Sequence, residues 1–451
     1  MGSSHGPAGV AGRKPRTATD LLDAATGPLP KGLTGWMARV ADRASNRADR
    51  VDLPFNLSLA NAFPDRLFIA DLHADTLLWG VDPWARRDGG QLDLPRLIEA
   101  RLGLQVFGGP TWTPLPMKNS EQALCVSCES IDQSDALFPS QLLDRVRRGK
   151  GVLRRQRAHK LAARFQEMLT DDRDEILRPV YRAEDLEDLW DGVGPPSRRA
   201  PIGVMLSLEG LHWIEPDADP DEADREVESL ARAGFRMIAP THRFSNGLGG
   251  ASEDCQGRIG LTEAGRAVLN ACFRRGIAVD LAHGSPAMIR EAAGLALNHP
   301  GKAKPLLVSH AGVRAAHRVA RNLRDADIRA VASTGGVIGI GVWEEAVGYA
   351  LSDPYEHKVA RIVDAFRAAL SALSEHEFAE EMEGRFGRYD PYAHLAIGSD
   401  FDGAVHTPFD VTGLSHLLAA LLSAENADGA PLVPRDKLPL IAGENARRTL
   451  A

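Results

Sequence analysis

Short apolar segments alternate with amphipathic segments of helical length along the chain after about residue 60. This alternation is typical of a parallel β-sheet that is built from strand–helix units. Eight strands with intervening helices close a (β/α)8 barrel of the TIM type, so we predict this α/β fold. The apolar segments place the eight strands at residues 66–73, 103–109, 202–210, 235–242, 277–283, 305–312, 336–343 and 394–403.

The segments between the predicted strands carry start and stop signals of helices. The helix after the fourth strand, for example, is predicted to begin after the capping residue Thr262 and to stop at Gly276. The segment from about 110 to 200 is too long for an ordinary strand–helix connection, so we predict a helical insertion after the second strand, over the barrel mouth. The predicted organisation is a partly disordered N-terminal extension over residues 1–60 and one barrel domain over residues 61–451.

The composition is that of an ordinary globular protein and favours a small-molecule substrate over nucleic acid. Hydrophobic residues make up 44% and charged residues 25% of the 451 positions, close to average usage. The formal net charge is −8, and Lys and Arg form no stripe interleaved with aromatic residues, so nucleic acid is not an expected partner. The sequence has neither an apolar run of membrane-span length nor a visible secretory signal, so we expect no membrane span and a cytoplasmic location.

The cysteines carry little information about function. Cys125 and Cys128 form a C-x-x-C pair, but a zinc ribbon needs a second pair, which is absent. We therefore expect both to be ordinary helix or loop residues. A disulfide from one of them to Cys255 stays open at this point.

Side chains that bind metals or transfer protons stand at the carboxyl ends of six of the eight predicted strands. Barrel enzymes place their active sites on this face. Four histidines and three carboxylates favour a borderline metal such as Zn²⁺, and two divalent ions can be held if one carboxylate bridges them. The residues are His73, Asp75, Glu209, His242, His283, His310 and Asp400.

Six short motifs in this order resemble the membrane (renal) dipeptidase family of the amidohydrolase superfamily, including its bacterial members. Each motif alone is weak, but together they span most of the chain and are highly specific. The motifs are HADT (73–76), SLEG (207–210), THRFSN (241–246), DLAHGS (280–285), SHAGVRAAHRVARN (309–322) and GSDFDG (398–403). The resemblance implies a binuclear zinc barrel that cleaves dipeptides, and it suggests a homodimer.

Carried over residue by residue, the resemblance also implies a role for each site residue. Glu209 would bridge the two ions, and His242 would face the substrate. Arg321 would hold the C-terminal carboxylate of the dipeptide, with Asn322 beside it as a further substrate-binding residue. One ion would be bound by His73, Asp75 and Asp400, and the other by His283 and His310.

The expected reaction is hydrolysis of a dipeptide with a free C-terminal carboxylate through a hydroxide that bridges the two ions. Asp400 is expected to take the proton of the attacking water and pass it to the leaving amine. His242 and one ion would stabilise the tetrahedral oxyanion. Asp400 and His242 are therefore the predicted catalytic residues.

Several residues and functions have alternatives that the sequence leaves open. Asn246, Asn322 and Asp402 fit the motifs but could equally be structural. His212 and His317 are needed by neither ion, so we expect them behind the ligands or at the surface. A metal-dependent amidohydrolase or lyase with a non-peptide substrate is the alternative function, and a metal-binding protein without turnover is a third.

Overall fold

The protein is described from a computed structural model. The predictions on Cys125, Cys128 and Cys255 lie outside the described residues, as do much of the predicted insertion and most of the predicted N-terminal extension. The structure describes residues 39–40, 42–63, 67–112, 150–191, 201–253, 259–301 and 305–451.

The strands of the described residues include one at each of the eight predicted positions. They are β1 (Arg47–Arg50), β2 (Ile69–Ala74), β3 (Leu102–Phe107), β4 (Leu177–Pro179), β5 (Ile202–Glu209), β6 (Phe235–Ala239), β7 (Ala278–Val279), β8 (Leu307–Ala311), β9 (Val337–Ile340), β10 (Leu395–Ile397) and β11 (His406–Phe409).

The eight predicted strands form one curled parallel sheet. Strands β2, β3, β5, β6 and β7 pair in that order, and β8, β9 and β10 form a second parallel group. Parallel bridges join the two groups on both sides, between Asp280 and Leu307 and between Ala74 and Phe401. The predicted (β/α)8 fold is confirmed.

Three strands were not predicted from the sequence. Strand β4 lies within the predicted insertion and pairs with the first residues of β5. Strand β1, with the sequence RADR, pairs in parallel with β11 and is largely exposed. It has no apolar alternation, so the pattern could not indicate it. The part of the predicted extension that is described therefore packs against the barrel.

Helices alternate with the barrel strands as expected. Thr262 caps its helix by accepting a hydrogen bond from the backbone N–H of Gly265, and Gly276 ends it in the left-handed conformation. No helix in the described part of the chain is long and apolar enough to cross a membrane. The helices are α1 (Leu57–Ala62), α2 (Leu94–Glu99), α3 (Lys150–Thr170), α4 (Ala183–Asp191), α5 (Pro220–Arg232), α6 (Glu263–Arg275), α7 (Pro286–Leu297), α8 (Asp325–Ala332), α9 (Glu344–Val347), α10 (Tyr355–Leu373), α11 (His376–Phe386), α12 (Leu414–Ser423) and α13 (Asn445–Leu450).

The central barrel strands are buried on both faces. Every residue of β2, β3, β5, β8 and β9 is buried, as expected for a parallel sheet that helices cover. Most of these residues are apolar and form the core. The exceptions are polar residues on the same strands, which would be costly to bury without partners. They collect at the carboxyl ends of the strands.

Candidate metal centre and active site

The structure brings the six predicted metal ligands together at one end of the barrel. His73 lies in β2, Glu209 is the last residue of β5, and His310 lies in β8. The other three lie in the short segments directly after strands β2, β7 and β10. These are Asp75, His283 and Asp400.

The first group of ligand atoms surrounds the Nε2 atom of His73. This atom lies 3.3 Å from Oδ1 of Asp75, 3.6 Å from Oε2 of Glu209 and 3.9 Å from Oδ1 of Asp400. His73, Asp75 and Asp400 satisfy the geometry of a group that could hold a metal ion. They are the three residues that the family resemblance assigns to one ion.

The second group lies on the other side of Glu209. The Oε1 atom of this carboxylate is 3.1 Å from Nε2 of His283 and 3.5 Å from Nε2 of His310. The two imidazole nitrogens are 3.2 Å apart. Glu209 therefore directs one carboxylate oxygen toward each group, which is the arrangement that a bridging ligand requires.

These donor atoms fit divalent metal ions. Two ligands that are each about 2.1 Å from a tetrahedral ion lie about 3.4 Å apart, close to the separations within both groups. Several of the atoms are also buried without a hydrogen-bond partner, namely both ring nitrogens of His73, Oδ1 of Asp75 and Oε1 of Glu209. A cation bound between them would compensate this loss of solvation.

The charges of the cluster are poorly balanced by the protein alone. Burial lowers the pKa of His73, but the carboxylates of Glu209, Asp75 and Asp400 outweigh it and raise the pKa to about 10. Burial raises the pKa of Glu209 well above its usual value and, with repulsion from Asp75, raises the pKa of Asp400 to about 8. Three carboxylates in one buried site thus favour a bound positive charge.

A hydrogen-bonded chain sets the orientation of the His310 ring. The hydroxyl of Ser309 donates to Oδ2 of Asp280 over 2.5 Å, so its oxygen is left to accept from Nδ1–H of His310 at 2.8 Å. Asp280 also accepts from the backbone N–H groups of Ser309 and Ala282. The Nε2 lone pair of His310 is then directed toward Glu209, as metal binding requires.

A second buried carboxylate, Asp71, joins β2 to the segment after β10, and these two parts of the chain carry the first ligand group. It accepts hydrogen bonds from the backbone N–H and the hydroxyl of Ser399, at 2.8 and 2.7 Å, and from Nε2 of Gln105 at 2.8 Å. No role was predicted from the sequence for Asp71, Asp280, Ser309 or Ser399. An acidic residue inside an apolar strand was the signal that could have identified the two aspartates.

His242 lies at the edge of the second group. Its ring centroid is 4.6 Å from that of His283, and its Nδ1 is 3.0 Å from the carbonyl oxygen of Trp112. Burial lowers the pKa of His242 well below its usual value, which favours the neutral ring. Its position also satisfies the geometry of a metal-binding group with Glu209 and His283. The structure therefore permits two roles for His242, as a ligand or as a substrate-facing residue.

Arg321 is buried next to the second group. Its Nη2 donates to the backbone carbonyl of His310 over 2.7 Å, and its Nη1 donates to the carbonyl of Ala282, the residue before His283. Burial lowers the pKa of Arg321, against the attraction of nearby carboxylates that include Asp400. The two carbonyl contacts fix the plane of the guanidinium next to the predicted ligands.

The remaining motif residues have mainly structural contacts. The amide nitrogen of Asn322 donates to the carbonyls of His317 and Ala346, and that of Asn246 donates to the carbonyl of Pro240. His212 is buried, and its Nδ1 lies 2.9 Å from the hydroxyl of Thr111. Asp402 is fully buried in a network of hydrogen bonds and ion pairs. The predicted substrate role of Asn322 thus stays a prediction, with its amide nitrogen already engaged.

The fold and the clustered ligands define a barrel protein whose candidate active site is a metal centre. The chain belongs to the membrane dipeptidase family, peptidase family M19, whose sequence model matches residues 58–434. The family that the motifs indicated is confirmed.

Two curated relatives show the extent of the sequence similarity. Dipeptidase aclJ of Aspergillus oryzae is 27% identical over 254 residues, which cover 55% of this chain and 51% of the relative. Dipeptidase verJ of Clonostachys rogersoniana is 28% identical over 236 residues, which cover 51% of this chain and 52% of the relative. The matches span about half the length of these relatives.

Solved structures share the fold over most of the chain. A metallopeptidase from Rhodobacter sphaeroides, solved with a phosphinate mimic of the dipeptide L-Ala-D-Ala, has a TM-score of 0.57 at 21% identity and covers 85% of this chain and 98% of that chain. The probable dipeptidase PvdM from Pseudomonas aeruginosa has a TM-score of 0.58 at 16% identity and covers 87% of this chain and 97% of that chain. At these identities the likeness concerns the fold.

Proposed function

We propose that this protein is a binuclear metal-dependent dipeptidase that hydrolyses dipeptides with a free C-terminal carboxylate. The main support is the position of Glu209, whose Oε2 lies near the imidazole of His73 and whose Oε1 lies near those of His283 and His310. Membership of the dipeptidase family supports the peptide substrate. The mixture of imidazole and carboxylate ligands favours Zn²⁺ as the metal.

In this proposal His73, Asp75 and Asp400 would hold one ion, His283 and His310 would hold the other, and Glu209 would contribute to both sites. Two divalent ions held there would supply Lewis acidity toward a peptide carbonyl and lower the pKa of a water molecule. The protein needs no nucleophilic side chain for this chemistry.

Asp400 moves the proton in the proposed mechanism. Its side chain is 13% exposed, whereas those of His73 and Glu209 are 0% and 3% exposed, so it is the group nearest to incoming substrate and water. A carboxylate in this position can act as a general base. It takes a proton from the attacking water and donates it to the amine of the departing residue.

His242 stabilises the oxyanion in the proposed mechanism, and its hydrogen bond sets a condition for this role. If Nδ1–H donates to the carbonyl of Trp112, the neutral ring presents a lone pair at Nε2. Donation to an oxyanion then requires a second proton on Nε2. The negative charge of the bound substrate and of the developing oxyanion would favour this protonation.

Arg321 is the proposed anchor for the substrate carboxylate. The backbone carbonyls of Ala282 and His310 engage one N–H of each terminal nitrogen. A guanidinium has five N–H groups, so the remaining ones can bind a carboxylate in a fixed plane. This gives a physical basis for preferring dipeptides with a free carboxyl group.

The proposal also includes the homodimer that the family resemblance suggests.

Hydrolysis of alanyl-alanine tests the proposed function. The L,L and L,D isomers and their C-terminal amides should be incubated with the purified protein, and the release of alanine measured. We expect cleavage of at least one free dipeptide, poor cleavage of its amide, loss of activity with a chelator and recovery with Zn²⁺. Activity on non-peptide amides alone would favour the alternative amidohydrolase function. Metal binding without any turnover would indicate a metal-binding protein that is not an enzyme.

A further inference from the structure

The loop after β10 has an unusual backbone conformation. Asp400, Asp402 and Ala404 all have positive φ angles, of 59°, 61° and 61°. Residues other than glycine rarely adopt this left-handed conformation, and it persists only where surrounding contacts hold it. Since Asp400 is a predicted ligand, the contacts that hold this loop also set the position of its carboxylate.

The carboxylate of Asp402 supplies the central contacts. It is completely buried and accepts hydrogen bonds from Oγ1 of Thr76 and from the backbone N–H of Gln91, both at 2.7 Å. It also forms an ion pair with the guanidinium of Arg87, whose side chain is 7% exposed. The backbone carbonyl of Asp402 accepts from the indole N–H of Trp79 at 2.6 Å.

These contacts connect two predicted ligands of the same ion. Thr76 directly follows Asp75, and Asp402 lies two residues after Asp400. One buried carboxylate therefore ties the segment that carries Asp75 to the segment that carries Asp400. The residues of the second ligand group make none of the hydrogen bonds to Asp402 described above.

Residues before the barrel complete the network. Arg87 also donates to Oδ1 of Asp42 over 2.7 Å. Asn46 donates to the same oxygen over 2.9 Å, and its own side-chain oxygen accepts from the backbone N–H of Ala404 at 2.9 Å. The segment 42–46 thus contacts both the Arg87 guanidinium and the loop of Asp400.

We propose that Arg87 is a positioning residue that acts through Asp402 to hold Asp75 and Asp400 in the geometry for binding one metal ion. Arg87 touches neither ion nor substrate in this account. The segment 42–46 then supports the metal centre from outside the barrel. The inference rests on the metal centre of the proposed function and adds a residue to it.

Zn²⁺ binding by the full-length protein tests this role without any substrate. Chelator competition should show two binding steps in the parent protein. Arg87→Met should weaken one step by about 10- to 100-fold, the usual effect of removing a group that orients a metal ligand, and leave the other unchanged. Arg87→Lys should restore part of the affinity, since a lysine keeps the charge but cannot engage Asp42 and Asp402 with the same fork.

Lys358→Met is the matched control. Lys358 is also a buried cation, and it pairs with Asp49 of the same N-terminal region at 2.6 Å. We expect this variant to lose stability without a change in either binding step. Thr76→Val removes one hydrogen bond to Asp402 with little change of shape, and it should weaken the same binding step. This variant provides the test if Arg87→Met does not fold.

Unchanged binding in both Arg87→Met and Thr76→Val would overturn the proposal, as would equal weakening of both steps or the same effect in Lys358→Met. The measurement is metal binding, so it does not depend on dipeptidase activity. If the parent protein binds Zn²⁺ but cleaves no dipeptide, the proposed function is refuted, and the role of Arg87 can still be tested.

Discussion

Replacing Ser309 with alanine removes the hydroxyl that links His310 to the buried carboxylate of Asp280. In the structure this hydroxyl donates to Asp280 and accepts from Nδ1 of His310. Without it, Nδ1–H loses its acceptor, and the ring can rotate or carry its proton on Nε2 instead. Both changes would disfavour binding of a metal ion at Nε2.

The size of the effect follows from these two contacts. Loss of a group that orients a metal-bound histidine weakens metal affinity by about 10- to 100-fold, or about 1.4 to 2.8 kcal/mol. Stability in the absence of metal should also fall, by about 1 to 3 kcal/mol, because a buried donor loses its acceptor. The loss of affinity should concern the ion assigned to His283 and His310, whereas Arg87→Met should affect the other ion.

Chelator competition with Zn²⁺ measures both binding steps, and Ser207→Ala provides the control. Ser207 is equally buried, but its hydroxyl donates to the carbonyl of Phe107 at 3.2 Å and not to a ligand. We expect Ser207→Ala to bind both ions as the parent does. The reasoning would be refuted if Ser309→Ala kept both affinities, or if the two serine variants weakened binding equally.

Three further predictions concern substrate binding, catalysis and stability. Arg321→Met should lower kcat/KM for a free dipeptide by roughly 30-fold to several thousand-fold, but it should hardly reduce the already poor cleavage of the dipeptide amide. The control Arg318→Met should leave kcat/KM for both substrates unchanged. Equal losses on both substrates would show that Arg321 is not the anchor. His242→Ala should keep two ions and lose kcat and kcat/KM together by roughly 100-fold, and loss of one ion would make His242 a ligand instead. Burial lowers the pKa of His394 from 6.5 to about 4, so the unfolded chain binds a proton in this range that the folded chain excludes. Stability should therefore fall by up to about 3 kcal/mol as the pH drops from 6.5 to 4, and His394→Gln should flatten this dependence in urea unfolding; an unchanged slope would contradict it.

The order of the barrel strands followed from the sequence because each strand is an apolar segment that both faces of the sheet bury. Strand ends were less accurate. The last predicted strand, 394–403, is reduced to Leu395–Ile397, since the chain leaves the sheet before the left-handed residues Asp400 and Asp402. The predicted strand 277–283 is similarly reduced to Ala278–Val279 before the segment that carries His283.

The contacts behind the ligands were harder to predict than the ligands. The clustering of the candidate ligands was predictable because strand ends converge on one face of a barrel. Arg87 and Asp402 are separated by 315 positions, and nothing in either local sequence indicates that they pair. The same holds for Ser399 with Asp71, which are separated by 328 positions. Such pairs depend on the closed fold and not on local patterns.

The proposed function requires two divalent ions, bridged by Glu209, for the hydrolysis of a free dipeptide. Titration of the metal-depleted protein with Zn²⁺, with alanyl-alanine hydrolysis measured at each addition, tests it most directly. We expect the rate to rise until about two equivalents per chain are bound and then to level off. A rate that levels off at about one equivalent, or no hydrolysis at any amount of metal, would contradict it.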